Sequence, residues 1–270
     1  MQKTILITGA TDGIGYETTK MLASQGHHLL IHGRSMSKLS AVKEELESLS
    51  DAGQVSAYLC DLSILADVEA FARKLLEQQT KLDVLINNAG IYNVDHVSTE
   101  EGLDVRFAVN TFAPYLLTKR LLDLFQPDGR IINLSSAAQS TVSLEELVSE
   151  GSTLPDNIIY AQSKLAITMW SRALAATIGA SGPSVIAVNP ASLLGSKMVK
   201  QAYGVAGGDL QIGADVLCRA ALSEQFSNAT GLYFDNDIGQ FSSPHPDALD
   251  KQKTQQLVDV IESVLAKKMR

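Results

Sequence analysis

Thr4-Ile5-Leu6-Ile7-Thr8-Gly9-Ala10-Thr11-Asp12-Gly13-Ile14-Gly15 decides how the rest of the chain is read. The short apolar run predicts a strand, Thr4–Ile7, and the periodicity after it predicts a helix over Ile14–Gln25. The turn between them carries Gly9, Gly13 and Gly15, with Thr11 and Asp12 among them. Glycine opens backbone angles closed to other residues and lets the main chain approach a pyrophosphate closely. A helix starting near Ile14 aims its N–H groups and the positive end of its dipole at such a group. Glycines alone mark no more than a tight strand–helix turn. Their place directly after the first strand favours the phosphate reading.

Working outward, short apolar runs alternate with longer amphipathic ones, as βαβ units do. Further strands are predicted at His28–Ile31, Val55–Leu59, Val84–Ile86, Arg130–Leu134, Val185–Val188 and Leu232–Phe234. Helices are predicted at Lys38–Leu49, Leu65–Gln78, Glu101–Leu124, Ile159–Ile178, Ala214–Leu222 and Asp247–Ala266. Strands apolar on both faces suit a parallel sheet covered by helices on each side, an α/β, doubly wound architecture. No repeat and no Pro/Gly/Ser linker divides the chain, so one domain is expected over residues 1–270. Two long irregular stretches, Ala137–Asn157 and Pro190–Asp209, follow strand ends, where open α/β sheets hold their ligands.

Composition narrows the partners. The 270 residues carry a formal net charge of −8 with no Lys/Arg cluster, which argues against nucleic acid and against anionic membranes. Every apolar stretch is broken well before the ~20 residues that a membrane span requires. Cys60 and Cys218 fit neither a disulfide framework nor a zinc spacing, and the five histidines show no paired metal spacing. No metal and a reducing, cytoplasmic location are therefore expected.

Three more strand ends bear on a dinucleotide. His32-Gly33-Arg34-Ser35 lacks the acidic residue that accepts hydrogen bonds from the ribose hydroxyls of NAD. Arg34 suits a 2′-phosphate bidentately and Ser35 adds a hydroxyl, so NADP (as NADPH) is favoured over NAD. Asp61, followed by Leu62, ends the third strand as a helix cap or an acceptor for an adenine amino group. Asn87-Asn88-Ala89-Gly90 ends the fourth, where small residues let a cofactor lie against the backbone and the amides brace neighbouring strands.

The chemistry lies further along. Tyr160 and Lys164 are four apart on a predicted helix, hence on one face one turn apart. A phenol, with a reference pKa near ~10, moves protons poorly at neutral pH, and an adjacent ammonium lowers that value. Such a pair makes a general acid–base. Ser135 and Ser136 end the fifth strand with hydroxyls able to bond a substrate oxygen. Asn110 falls mid-helix, where asparagine is a poor helix former, which points to a kink or a relay position.

Thr8–Gly15, Asn87–Gly90, Asn110, Ser135-Ser136 and Tyr160–Lys164, in this order, resemble the short-chain dehydrogenase/reductase family, from Lys3 to about Phe234. The resemblance implies a seven-stranded Rossmann-type domain with the cofactor across the carboxyl edge of the sheet. It implies Tyr160 as acid–base, Lys164 lowering its pKa and holding the nicotinamide ribose, and Ser136 orienting the substrate oxygen. It implies Asn110 holding a water beside Lys164. Gly9, Thr11, Asp12, Gly13, Ile14 and Gly15 are then expected at the pyrophosphate, Asp61 and Leu62 at the adenine, and Asn88, Ala89 and Gly90 at the adenosine ribose side. The long spacer between Ser136 and Tyr160 and the segment Gly231-Leu232-Tyr233-Phe234 are most similar to the retinol-dehydrogenase-like and WW-domain-oxidoreductase-like branch. Several eukaryotic members of that branch have membrane anchors; none is expected here.

One stretch departs from the family. After the sixth strand the pattern is Pro-Gly followed by a Thr, whereas this chain has Asn189-Pro190-Ala191-Ser192-Leu193-Leu194-Gly195-Ser196. Pro190, Ser192 and Leu193 are expected against the cofactor, with Gly195 or Ser196 at the Thr position. Leu193, Leu194, Met198, Val199 and Tyr203, followed by glycines, predict an apolar hinged lid. A neutral, largely apolar carbonyl or alcohol is the expected substrate. A non-catalytic dinucleotide sensor on the same fold is the alternative, opposed by the retained Tyr160 and Lys164. A Rossmann-like methyltransferase needs an acidic ribose contact at the end of the second strand, which His32–Ser35 does not provide. Leu165, Met169, Trp170 and Leu174 give the Ile159–Ile178 helix surplus apolar surface, which predicts a homodimer or homotetramer.

Overall fold

The computed structural model describes residues 1–269. Its centre is an eight-stranded sheet in the order β3-β2-β1-β4-β5-β6-β7-β8. The strands are β1 (Thr4–Ile7), β2 (His28–Gly33), β3 (Val55–Leu59), β4 (Val84–Asn87), β5 (Arg130–Leu134), β6 (Ser184–Asn189), β7 (Tyr233–Asp235) and β8 (Gln240–Ser242). The first seven run parallel, and β8 pairs antiparallel with β7. The eighth strand corrects the expected seven. Three residues with one apolar side chain show no period to read; Phe241 holds the strand by packing its ring 5.1 Å from Phe234 and 5.2 Å from Phe226.

The pleat sends successive strand residues to opposite faces. Leu6, Leu30, Leu85, Ile131 and Val185 enter one core, while Ile5, Ile7, Leu29, Val84, Ile86 and Ile132 enter the other. Helices α1 (Gly13–Ala23), α2 (Met36–Glu47) and α9 (Leu210–Leu222) supply residues to the second core. The first is covered by α3 (Leu65–Gln78), α4 (Val105–Phe107), α5 (Ala113–Leu121), α7 (Asp156–Ile178) and α11 (Lys251–Lys268). Short helices α6 (Leu144–Leu147), α8 (Lys197–Tyr203) and α10 (Pro246–Leu249) lie in the connections.

Three helical expectations change. The run predicted as Glu101–Leu124 starts only at Val105, because Asp104 caps it by accepting from the Arg106 N–H at 2.9 Å. Glu101 instead caps α3, accepting from the Leu65 N–H at 2.8 Å. Between α4 and α5 the backbone makes a π-helical turn, Ala108–Phe112, centred on Asn110. The apolar surplus of α7 is consumed within the chain: Leu165, Met169, Trp170 and Leu174 are buried in the same core as Leu257, Ile261, Val264 and Leu265 of α11. Among the described residues no helix is long and apolar enough to cross a membrane, and no group of three His, Cys, Asp or Glu is set to hold a metal ion. Cys60 and Cys218 are both buried and free.

Candidate active site

The glycine turn is shaped by close approach. Gly9 and Gly13 have φ of +67° and +55°. A Cβ at Gly15 would lie 2.2 Å from the Gly9 carbonyl oxygen and 2.3 Å from Asn88 Nδ2. Asn88 braces this turn, its Nδ2 donating to the carbonyls of Thr8 and Gly9 at 2.9 and 3.1 Å. The N–H groups of Asn88 and Ala89 both donate to Thr8 Oγ1 at 3.1 Å. Asn88 therefore ties β4 to the turn with the amide that was expected beside the ribose.

His32, given no role in the sequence reading, is the other brace. Its Nδ1 accepts from the Gly9 N–H at 3.2 Å, and its Nε2 faces the Cys60 carbonyl at 3.1 Å. The two partners fix the tautomer with the proton on Nε2. Burial pushes its pKa down to about 4, so the ring is neutral at physiological pH. No pattern in the sequence separates this histidine from a strand residue.

Asp12 caps α1, accepting from the Gly13 N–H at 3.0 Å, and its carboxylate pairs with Lys197 at 2.6 Å and Lys38 at 3.4 Å. Thr11 and Ile14 flank it in the turn. Arg34 is exposed, and lines a cleft of about 340 Å³ with Asp61, Leu59 and Lys74. Ser35 begins α2 with its hydroxyl 3.1 Å from that of Ser37. Asp61 Oδ1 accepts from Ser63 N–H and Oγ at 2.9 and 2.7 Å, and Leu62 is buried.

At the centre of the edge, α7 carries Tyr160 and Lys164 one turn apart, with the Lys164 Nζ 5.6 Å from the Tyr160 ring centroid. Lys164 is buried and donates to the Leu134 carbonyl at 2.9 Å. Burial alone brings its pKa down to about 8. Tyr160 moves opposite to expectation: burial pushes the phenol up to about 12, against the lowering effect of the Ser136 hydroxyl, with Tyr203 adding to the rise. Ser136 is positioned through its carbonyl, which accepts from the Tyr233 hydroxyl at 3.1 Å and Gln139 Nε2 at 2.8 Å. Ser135 is structural, 2.6 Å from Thr168 Oγ1 and bonded to the Lys164 carbonyl at 3.0 Å.

Asn110 clamps the loop after β4, accepting from the Ile91 N–H and donating to the Ile91 carbonyl, both at 2.9 Å, and donating to Ser163 Oγ at 3.0 Å. The π-turn delivers it there, a device frequent at functional sites. Gly90 lies between the parts: a Cβ there would stand 3.3 Å from Lys164 Nζ and 3.4 Å from Asn110 Oδ1. One turn before Asn110, the buried Arg106 makes a bidentate pair with Asp104 at 2.6 and 2.9 Å and a further pair with Asp156 at the start of α7. Sequence reading overlooked this clamp, since a charge inside a helical run reads as a solvated face.

The stretch after β6 behaves as its departures from the family imply. Ala191 keeps a glycine-like φ of +113°, and Leu193 has φ of +51°. Pro190 is buried; Ser192 spends its N–H and hydroxyl on Asp237 at 2.7 and 2.6 Å. Gly195 closes a turn against Gly208, whereas Ser196 caps α8 and its Cβ lies 3.7 Å from the position a Gly13 Cβ would take. Of the two residues expected at the Thr position, Ser196 is thus the one that faces the glycine turn. In the stretch expected as a lid, Leu194 is buried while Leu193 and Tyr203 are each 50% exposed.

Backbone at Gly9 and Gly15 approaches so closely that side chains are excluded, and a Cβ at Gly90 would press on the Lys164 Nζ at 3.3 Å, a cradle that fits a dinucleotide along the carboxyl edge. Residues 3–204 match the family model described as short chain dehydrogenase. Human retinol dehydrogenase 13 is 30% identical over 94% of this chain and 82% of its own length. A solved protein from Mycobacterium paratuberculosis superposes with a TM-score of 0.80 at 26% identity, covering 97% of this chain and 93% of that one. The landomycin C-6 ketoreductase LanV, solved with bound NADP and rabelomycin, gives a TM-score of 0.69 at 29% identity over 87% of this chain and 94% of its own. The chain is an NAD(P)-dependent oxidoreductase that belongs to the short-chain dehydrogenase family, in its retinol-dehydrogenase-like branch.

Proposed function

We propose that the protein uses NADP(H) to interconvert a neutral, largely apolar carbonyl compound and its alcohol, with Tyr160 as the acid–base. One observation carries this reading: Tyr160, Lys164, Ser136 and Asn110, from three separate segments, converge around Gly90 at the carboxyl edge of the sheet. When bound, the nicotinamide supplies or accepts the hydride. The chain's own residues handle the proton. In reduction, the Tyr160 hydroxyl gives its proton to the substrate oxygen while the Ser136 hydroxyl donates a hydrogen bond to the same atom. A phenol pushed up to about 12 is protonated and ready to donate. In oxidation the phenol must lose its proton first, and the Lys164 ammonium, held on the Leu134 carbonyl, favours that phenolate.

Gly9, Thr11, Gly13, Ile14 and Gly15 would hold the pyrophosphate, with Pro190 and Leu193 across the cleft and Ser196 at its lip. Asp61 and Leu62 would flank the adenine; Ala89 and Gly90 would lie under the ribose that Tyr160 and Lys164 hold. Arg34 and Ser35 would take a 2′-phosphate, a reading supported by the NADP bound in the LanV structure. The same reading puts the protein in the cytoplasm, in keeping with two free thiols, as one domain over the whole chain. A homodimer or homotetramer would have to use a face other than the one α11 packs against.

The test is a titration with NADPH and NADH, followed by nicotinamide fluorescence, on wild type and Arg34→Ala. The wild type is expected to prefer NADPH, and the variant to lose about tenfold or more of that affinity with NADH unchanged. A wild type that prefers NADH overturns the assignment of Arg34.

A further inference from the structure

Asp156 has no part in the proton transfer proposed above, yet three segments of the site meet on its carboxylate. It opens α7, one turn before Tyr160. Its Oδ1 accepts from Arg106 Nη1, and its Oδ2 accepts from Asn93 Nδ2 at 3.0 Å. Arg106 lies one turn before Asn110, at the entrance to the π-turn. Asn93 follows Tyr92, whose ring lies 4.9 Å from that of Tyr160, tilted by 47°. The loop that carries Tyr92 is thus held on both sides, by Asn110 at Ile91 and by Asp156 at Asn93.

Helix α7 is bracketed in the same way. Before Tyr160 it is tied to Arg106 through Asp156. After Tyr160, Ser163 Oγ accepts from Asn110 Nδ2 at 3.0 Å and donates to the Tyr160 carbonyl at 2.7 Å. Little else holds the start of the helix: Pro155 offers its free N–H groups no side-chain cap, and Asn157 and Ile158 are exposed.

Neutralising a buried charge does not explain the pair. Arg106 is buried, but Asp104, buried with it, already meets the guanidinium with two bonds of 2.6 and 2.9 Å. Arg106 would be paired without Asp156, whose own side chain is 38% exposed. A carboxylate so open to water adds little stability. What the pair adds is direction. A planar guanidinium locked by Asp104 presents its remaining N–H groups at fixed points, and a group that accepts there is held in place.

We propose that Asp156 is a positioning residue: through its bonds to Arg106 and Asn93 it sets the rotation and depth of the start of α7, and with them the place of the Tyr160 hydroxyl. The effect on rate rests on Tyr160 as the acid–base; the placement of the ring does not. Misplacing a reacting group by about 1 Å costs on the order of a hundredfold in rate.

Three substitutions separate position from charge. Asp156→Asn keeps the length of the side chain and can keep both contacts, its oxygen on Arg106 and its nitrogen on the Asn93 amide oxygen. Asp156→Glu keeps the negative charge, favourable at a helix start, but is one methylene longer. Asp156→Ala keeps neither. Isotope-labelling at the tyrosine Cζ carbon gives seven resonances, and Tyr160→Phe identifies the one that matters. In the protein, free and saturated with NADP, that resonance is expected to hold its position in Asp156→Asn and to move in Asp156→Glu and Asp156→Ala. Reduction of decanal with NADPH should follow the same order: kcat near wild type in Asp156→Asn and about tenfold lower in the other two, with KM and NADPH affinity unchanged. Melting temperatures should differ little, since Arg106 keeps Asp104. A resonance unmoved in Asp156→Ala, or activity restored by Asp156→Glu and not by Asp156→Asn, overturns the positioning role. The resonance decides even if decanal is no substrate. If it moves as expected while Tyr160→Phe reduces decanal as fast as wild type, the positioning stands and the acid–base reading falls. If it stays while Tyr160→Phe is inactive, the reverse holds.

Discussion

Gly15, at the start of α1 after β1, and Gly208, in the stretch after β6, lie in regions built by opposite means. Around Gly15 each contact is doubled. Thr8 is bonded through its N–H to the Ile86 carbonyl at 3.0 Å, Ala10 to the His32 carbonyl at 2.9 Å, and the side chains of Asn88 and His32 bind the same few backbone atoms. Around Gly208 the chain is joined to Leu193 and Gly195 by two backbone bonds of 2.8 and 2.7 Å, and the helix beyond Ser196 buries nothing. Under the proposed function, the dinucleotide presents one fixed shape and its cradle is over-determined, whereas the substrate must enter and leave and its wall is held lightly. The low-stability end of a fold supplies the parts that move.

The largest expected effect exposes this contrast with one substitution made twice. Gly15→Ala puts a methyl 2.2 Å from a backbone oxygen that two networks hold in place, and is expected to cost at least about 3 kcal/mol and to abolish NADPH binding. Gly208→Ala meets nothing nearer than Leu194 Cδ2 at 3.8 Å, and its melting temperature should match wild type. Similar losses at the two sites would mean the lid is as rigid as the cradle.

A smaller effect comes from His32. Its folded-state pKa of about 4 lies below the ordinary 6.5, so between those values the unfolded chain binds a proton that the folded protein refuses. Stability is full above pH 6.5 and declines as the pH falls toward 4, by about 3 kcal/mol from this group. Denaturant unfolding from pH 7 to pH 4 checks this against His32→Gln, which should lack that portion of the slope. Protonation would also break the Gly9 bond, so NADPH affinity should weaken below the same window.

The cradle was legible in the sequence because it rests on backbone geometry that only glycine permits, at positions fixed by one strand and one helix. Tyr160 and Lys164 were legible for a like reason, since four residues make one helical turn. What escaped was long-range pairing. His32, Arg106 and Tyr233 act on segments 23, 50 and 97 positions away, and no local period records such distances. The π-turn at Asn110 announced itself only as a poor helix former in a helical run. The direction of the Tyr160 shift was misread because spacing gives the neighbour but not the burial, and burial wins here. Likewise the apolar excess of α7 was visible, but that α11 would cover it depends on packing.

Ala191 offers the finest test of the contrast. Its φ of +113° is a conformation that L residues adopt at a cost of about 1 kcal/mol or more. The strain persists because Pro190 is buried on one side and Ser192 is tied to Asp237 on the other. Ala191→Gly relieves it but gives the unfolded chain more freedom, an opposing effect below about 1 kcal/mol. The expected net result is a slight stabilisation, read as a higher denaturation midpoint with an unchanged slope. If the loop were as soft as α8 throughout, alanine would already have relaxed to negative φ and the glycine variant would be less stable. A gain therefore places the boundary between the rigid edge of the sheet and the movable wall after Ser192, with the hinge on the glycine side of the lid.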